Sequence, residues 1–129
     1  MIIYNITAKA LIALGVLFFS SIFLKVIAGI DLIPDSTYLS HYFISFAGAM
    51  VLAWGLVMNK AANNKQAFPI VAYATGVMFI LLAVMRVVAF FVAEQVFDFV
   101  PSLIAHALPA VESVTFFVLG FVFLTRYKS

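Results

Sequence analysis

Apolar positions gather into four long stretches, and the polar positions between them form short clusters. The stretches run from about Lys9 to Gly29, Thr37 to Met58, Pro69 to Ala93 and Ser102 to Thr125. Each lies near the ~20 residues a helix needs to cross the hydrocarbon core of a bilayer. The connections are short. The first contains Pro34, with Asp35 or Ser36 placed to cap the second helix, while Pro69 suits the first turn of the third and Pro101-Ser102 can open the fourth. Short links favour antiparallel neighbours, so the pattern predicts an all-α integral membrane protein, one domain over residues 1–129 folded as an up-down-up-down four-helix bundle.

Composition agrees. The chain is 67% hydrophobic and 9% charged, against about 45–50% and about 25% in soluble domains. The spans consume nearly all of its length, so any chemistry belongs in or beside a membrane. With no cysteine, disulfides and thiolate chemistry are excluded, and a net charge of +2 gives no sign of a nucleic-acid partner.

Charge also sets an orientation. Lys60 and Lys65 lie in the second connection and Arg126 with Lys128 in the tail, whereas the first and third connections carry Asp31, Asp35, Glu94 and Asp98 and no basic residue. The positive-inside rule then puts both termini in the cytoplasm, with Lys9 in agreement, and Tyr4, Tyr38 and Tyr127 fall where interfacial aromatics are expected. The first stretch reads as a retained span and not a cleaved signal, because Lys25 interrupts it just before the small-residue site Val26-Ile27-Ala28.

Two charges break the pattern inside the spans. Arg86 and Glu112 each sit deep in an apolar segment, where one charge costs about 2.5–3.5 kcal/mol on insertion scales. At ~1.5 Å per residue, Arg86 lies roughly 12 Å below Glu94 and Glu112 roughly 15 Å below Ser102, so the two heights match. They are expected to pair, the guanidinium offering its planar fork to both carboxylate oxygens. Taken alone the pair reads as a staple between neighbouring helices. Its company suggests more, since Lys25, His41 and His106 also belong to the outer half. Lys25 is expected to snorkel. In the second helix His41, Ser45, Gly48, Leu52, Gly55 and Asn59 form one stripe of polar and small residues, a packing seam in its plainest reading. Ser21, Lys25 and Gly29 share a face of the first helix, and Thr75, Phe79, Leu82 and Arg86 one of the third. Pro109 frees the Ala105 carbonyl in the fourth helix, which predicts a bend one turn from His106. The candidate ligand-binding set is therefore Arg86, Glu112, His41, His106, Lys25 and Ser45. No catalytic or metal-ligating residue is assigned.

No histidine has the helical spacing of a metal site, no serine a nucleophile-elbow context and no glycine run the form of a phosphate loop. A proton-coupled role for Glu112 would require Arg86 to release it. The segment Ala83-Val84-Met85-Arg86-Val87-Val88-Ala89 and the later Leu108-Pro109-Ala110-Val111-Glu112, with Gly48 and Trp54-Gly55 in the second helix, resembles the small four-helix bacterial membrane proteins of the DoxX-like type. That resemblance implies a bacterial inner-membrane protein with four spans, with a third-helix arginine and a fourth-helix glutamate matched by Arg86 and Glu112. It also brings in a quinone as a candidate ligand, although His41 stands where a carboxylate or other polar residue is expected. Three function classes follow. The favoured one is a non-enzymatic binding protein for an amphipathic lipid or quinone held in the outer half. The others are an accessory subunit docking a second membrane protein through the Gly48/Gly55 face, and a membrane-embedded enzyme of lipids or quinones relying on His41.

Overall fold

The structure, a computed structural model, describes residues 1–34 and 36–127, and no strand occurs among them. Seven elements follow in order: α1 (Ile2–Phe19), α2 (Ser21–Phe23), a π-helical turn (Leu24–Ala28), α3 (Tyr38–Ala61), α4 (Ala67–Phe91), α5 (Ala93–Val96) and α6 (Ser102–Arg126). Four segments are long and apolar enough to cross a membrane: Ile2–Ala28, Tyr38–Ala61, Ala67–Phe91 and Ser102–Arg126. Large apolar side chains such as Ile27, Ile70, Phe91 and Leu103 stay exposed along them, as lipid-facing surfaces do. The first span begins at Ile2, so Lys9 lies within the helix and not at its start. Ile2, Ile3 and Tyr4 extend the apolar run, and the exposed Lys9 can lay its stem along that surface.

The chain divides into two compact units, Met1–Phe68 and Pro69–Ser129. The first is an antiparallel hairpin of α1 and α3, joined where small residues let the backbones meet. A methyl group on Gly48 would strike the Phe19 backbone nitrogen, one on Gly15 the Leu52 backbone, and one on Gly55 would come 2.8 Å from Ile12 N. Close backbone approach of this kind drives association between apolar helices that gain little from leaving lipid. At the far end the Tyr4 hydroxyl donates to Met58 O at 3.0 Å and its ring lies 4.7 Å from that of Phe68. The stripe on the second span is thus the packing seam, with α1 lying against Gly48 and Gly55.

The second unit pairs α4 with α6 in the same manner. Gly76 and Gly120 face each other so closely that a methyl on either would lie 3.2 or 3.1 Å from the other's carbonyl oxygen. Phe79 stacks on Phe116 at 5.7 Å and meets Phe123 edge-on at 5.8 Å. Further along, Ser113 donates to Ala83 O at 3.1 Å. The helix α6 runs on through the buried Pro109.

Helix ends partly follow the expected chemistry. Gly29 closes the first span with a left-handed φ of 65°, a conformation that costs glycine least. Pro69 lies in the first turn of α4 and Pro101 caps α6. The cap of α3 is Thr37, whose side chain accepts from Ser40 N, and not Ser36, which is engaged elsewhere. Asp35 lies outside the described residues.

Candidate functional site

Ser45 explains a break in the first span. Its hydroxyl accepts from Ile22 N at 2.8 Å and donates to Phe18 O at 3.3 Å. Those two backbone groups are four residues apart and would ordinarily close one rung of the α1 ladder. A side chain inserted into a rung bends a helix, and α1 ends at Phe19 with Ser20 turning its own hydroxyl back to Leu17 O at 2.6 Å. Ser45 is therefore a splice between helices, fully occupied by backbone.

Below that break the π-helical turn presents Lys25, and a polar clasp forms. Lys25 Nζ donates to Asp31 Oδ1 at 2.6 Å and to Ser36 O at 3.2 Å, and lies 5.2 Å from the centre of the Tyr38 ring. It is turned inward by three partners, where the sequence suggested free snorkelling. His41 has no exposed surface. Its Nδ1 is 2.6 Å from Ser21 Oγ, and its Nε2 is 2.9 Å from Ser36 Oγ and 3.4 Å from Asp31 Oδ1. Donor logic settles the roles. Ser36 gives its one hydroxyl proton to Ile33 O, so it accepts from His41 Nε2–H, and Ser21 Oγ shares the hydrogen bond at Nδ1. The hydrogen bond from Lys25 holds the Asp31 carboxyl below the usual carboxylate value; desolvation opposes this, while the Lys25 charge and the neighbouring His41 reinforce it.

The clasp fastens a loop with two chemical sides. Asp31 and Ser36 face the clasp, whereas Leu32 and Ile33 line an apolar groove of about 350 Å³ completed by Leu17, Phe18, Ile44 and Ala47. That volume is within the range of small-molecule sites, about 300–1,000 Å³. With His41 sealed, the ring positions the loop and does not present a polar atom to the groove.

In the second unit Arg86 Nε stands 2.6 Å from Glu112 Oε2, with about a third of each side chain exposed. The two charges meet. Contact runs through one nitrogen and one oxygen instead of a two-pronged fork, and Oε2 is buried without the alignment of a hydrogen bond. One turn along from Arg86, Phe90 packs edge-on against His106 at 5.3 Å, and His106 Nδ1 donates to Ser102 O at 2.9 Å. His106 is thus held by a neighbouring ring and its own helix. At the mouth, Ser102 donates to Glu94 Oε1 at 2.8 Å.

Six residues proposed from sequence therefore fall into separate settings. Lys25 and His41 share the clasp, Ser45 belongs to the break above it, Arg86 and Glu112 pair in the second unit, and His106 packs on Phe90. Sequence reading left Asp31 as a loop charge and Ser36 as a cap. A polar run between two spans, facing a histidine and a lysine, was the available signal. No group of three or more His, Asp or Glu that could hold a metal ion occurs among the described residues. In comparisons with known proteins, no family model, curated protein or solved structure matches the chain.

Proposed function

We propose that the chain is a four-span protein of a bacterial inner membrane, its helices running up and down in turn with both termini cytoplasmic, that binds a single-chain amphipathic molecule such as a lipid or a quinone. The motifs around Arg86 and Glu112 support kinship with the DoxX-like proteins, and the basic residues Lys60, Lys65 and Arg126 support the orientation. One observation carries the binding role: Asp31 and Ser36 turn toward Lys25 and His41, while Leu32 and Ile33 line the apolar groove. An acyl or prenyl chain fits such a groove, because its lining is almost wholly apolar, and its head then rests beside the exposed side of Asp31. The role is binding and not catalysis, since the buried His41 has both ring nitrogens committed and Ser21 is wholly buried.

Equilibrium binding of palmitoyl-lysophosphatidylcholine to the purified protein tests this. Filling the groove with Ala47→Phe or Ile44→Trp is expected to weaken binding about tenfold while helicity is retained, as loss of roughly 1.4 kcal/mol of apolar contact would. Unchanged affinity in both variants contradicts the reading.

A further inference from the structure

The Arg86 guanidinium has more donors than its partner uses. It carries five N–H groups, and its ion-pair contact with Glu112 is from Nε to Oε2 at 2.6 Å. No hydrogen bond joins its terminal nitrogens Nη1 and Nη2 to the described residues of this hairpin. The nearest other polar groups of the hairpin are already committed: the Ala83 carbonyl accepts from Ser113, His106 donates to Ser102, and Ser102 donates to Glu94. Arg86 lies within the apolar segment Ala67–Phe91 with about a third of its side chain open. An N–H left unmet in hydrocarbon is costly, so an acceptor from outside this hairpin is strongly favoured there.

We propose that the open edge of Arg86 is a binding site for the carbonyl oxygen of a neutral acyl group. Charge decides the class. Arg86 and Glu112 sum to zero, so an anionic ligand would leave a net negative charge at hydrocarbon depth, which is expensive. A carbonyl supplies the acceptor and adds no charge. Phe90, one helical turn from Arg86, and Leu108, one turn from Glu112, are exposed and give the attached chain an apolar bed. Two sources carry this chemistry, the ester of a bilayer lipid and a free carbonyl-bearing amphipath. The site lies wholly in the second hairpin and stands or falls independently of the groove in the first.

The test uses the whole protein in bilayer discs made from an equimolar mixture of diacyl phosphatidylcholine and its ether-linked dialkyl counterpart, which lacks the carbonyls. Lipid retained after gentle solubilisation is identified by mass. The wild type is expected to keep the diacyl form about tenfold over the dialkyl, the factor one hydrogen bond to a charged donor carries. In Arg86→Met/Glu112→Gln, which leaves no orphan carboxylate to prevent folding, the preference falls to parity. A second arm adds a long-chain methyl ketone to the protein in pure dialkyl lipid. Ketone binding that disappears in the double variant, without an ester preference, assigns the site to a free amphipath and upholds the carbonyl chemistry. Equal retention together with no Arg86-dependent ketone binding overturns the proposal, as does an ester preference that survives in the double variant.

Discussion

His41 Nε2 donates to Ser36 Oγ across 2.9 Å, tying a fully buried ring of α3 to the loop that walls the apolar groove. The bond makes loop position a property of helix packing. His41→Ala would remove it and orphan the Ser21 hydroxyl, at a cost of about 2–3 kcal/mol. Hydrogen exchange is expected to speed up over residues 30–37 before it does in the body of α3. Uniform loss of protection along α1 and α3 would mean that the ring supports the hairpin and not the loop.

Arg86 and Glu112 depend on each other. Arg86→Ala or Glu112→Ala alone leaves a partly buried charge and is expected to cost about 1–3 kcal/mol, whereas removing both approaches the parent. A thermal or detergent-unfolding double-mutant cycle reads the coupling. Additive single effects would show that the contact contributes nothing.

Asp31 sets an acid limit on the clasp. Its carboxyl titrates below the usual value in the folded protein because Lys25 hydrogen-bonds to it. Stability from this group is thus present above the unfolded pKa, about 3.9, and is lost as pH falls through the lower folded value. Loop protection in the wild type is expected to persist to about pH 4 and weaken below it. Asp31→Asn should show weaker protection with no such acid step. An unchanged acid profile in that variant would assign the step to another group.

Two glycines should respond differently to alanine. At Gly48 the added methyl meets the Phe19 backbone, which cannot move without parting α1 from α3, so a loss of about 2–3 kcal/mol is expected, in the range of overpacked cores. At Gly29 nothing lies within 4 Å of the methyl, and only the positive φ opposes it, a cost of about 1 kcal/mol. Unfolding of the two variants in detergent gives the ranking, and an equal or reversed order would argue against the α1–α3 seam.

The spans, the meeting of Arg86 with Glu112 and the Gly48/Gly55 seam were legible in the sequence because each follows from a simple rule: length in an apolar run, equal depth along antiparallel rods, and small residues at helical spacing. The rule stopped short at Gly76 and Gly120, which make an equally close contact but stand alone on their helices, with no second glycine at helical spacing to mark a stripe. The break at Ser20, the π-helical turn and the inward Lys25 were not legible. They arise because Ser45 of one helix enters the hydrogen-bond ladder of another and because Asp31 folds back on Lys25. Both events depend on three-dimensional register that periodicity within one helix does not carry. For the same reason His41 reads as a ligand donor in sequence and proves to be spent on Ser21 and Ser36.

The groove is tested most directly by where a bound chain touches the protein. A fatty-chain probe with a photoreactive diazirine near its end, crosslinked in detergent at low occupancy and mapped by mass spectrometry, is expected to label Leu17–Phe18, Leu32–Ile33 and Ile44–Ala47, with loss of that labelling in Ala47→Phe. Labelling spread evenly over exposed surfaces such as Ile70, Phe91 and Leu103, and unaltered by Ala47→Phe, would contradict the account.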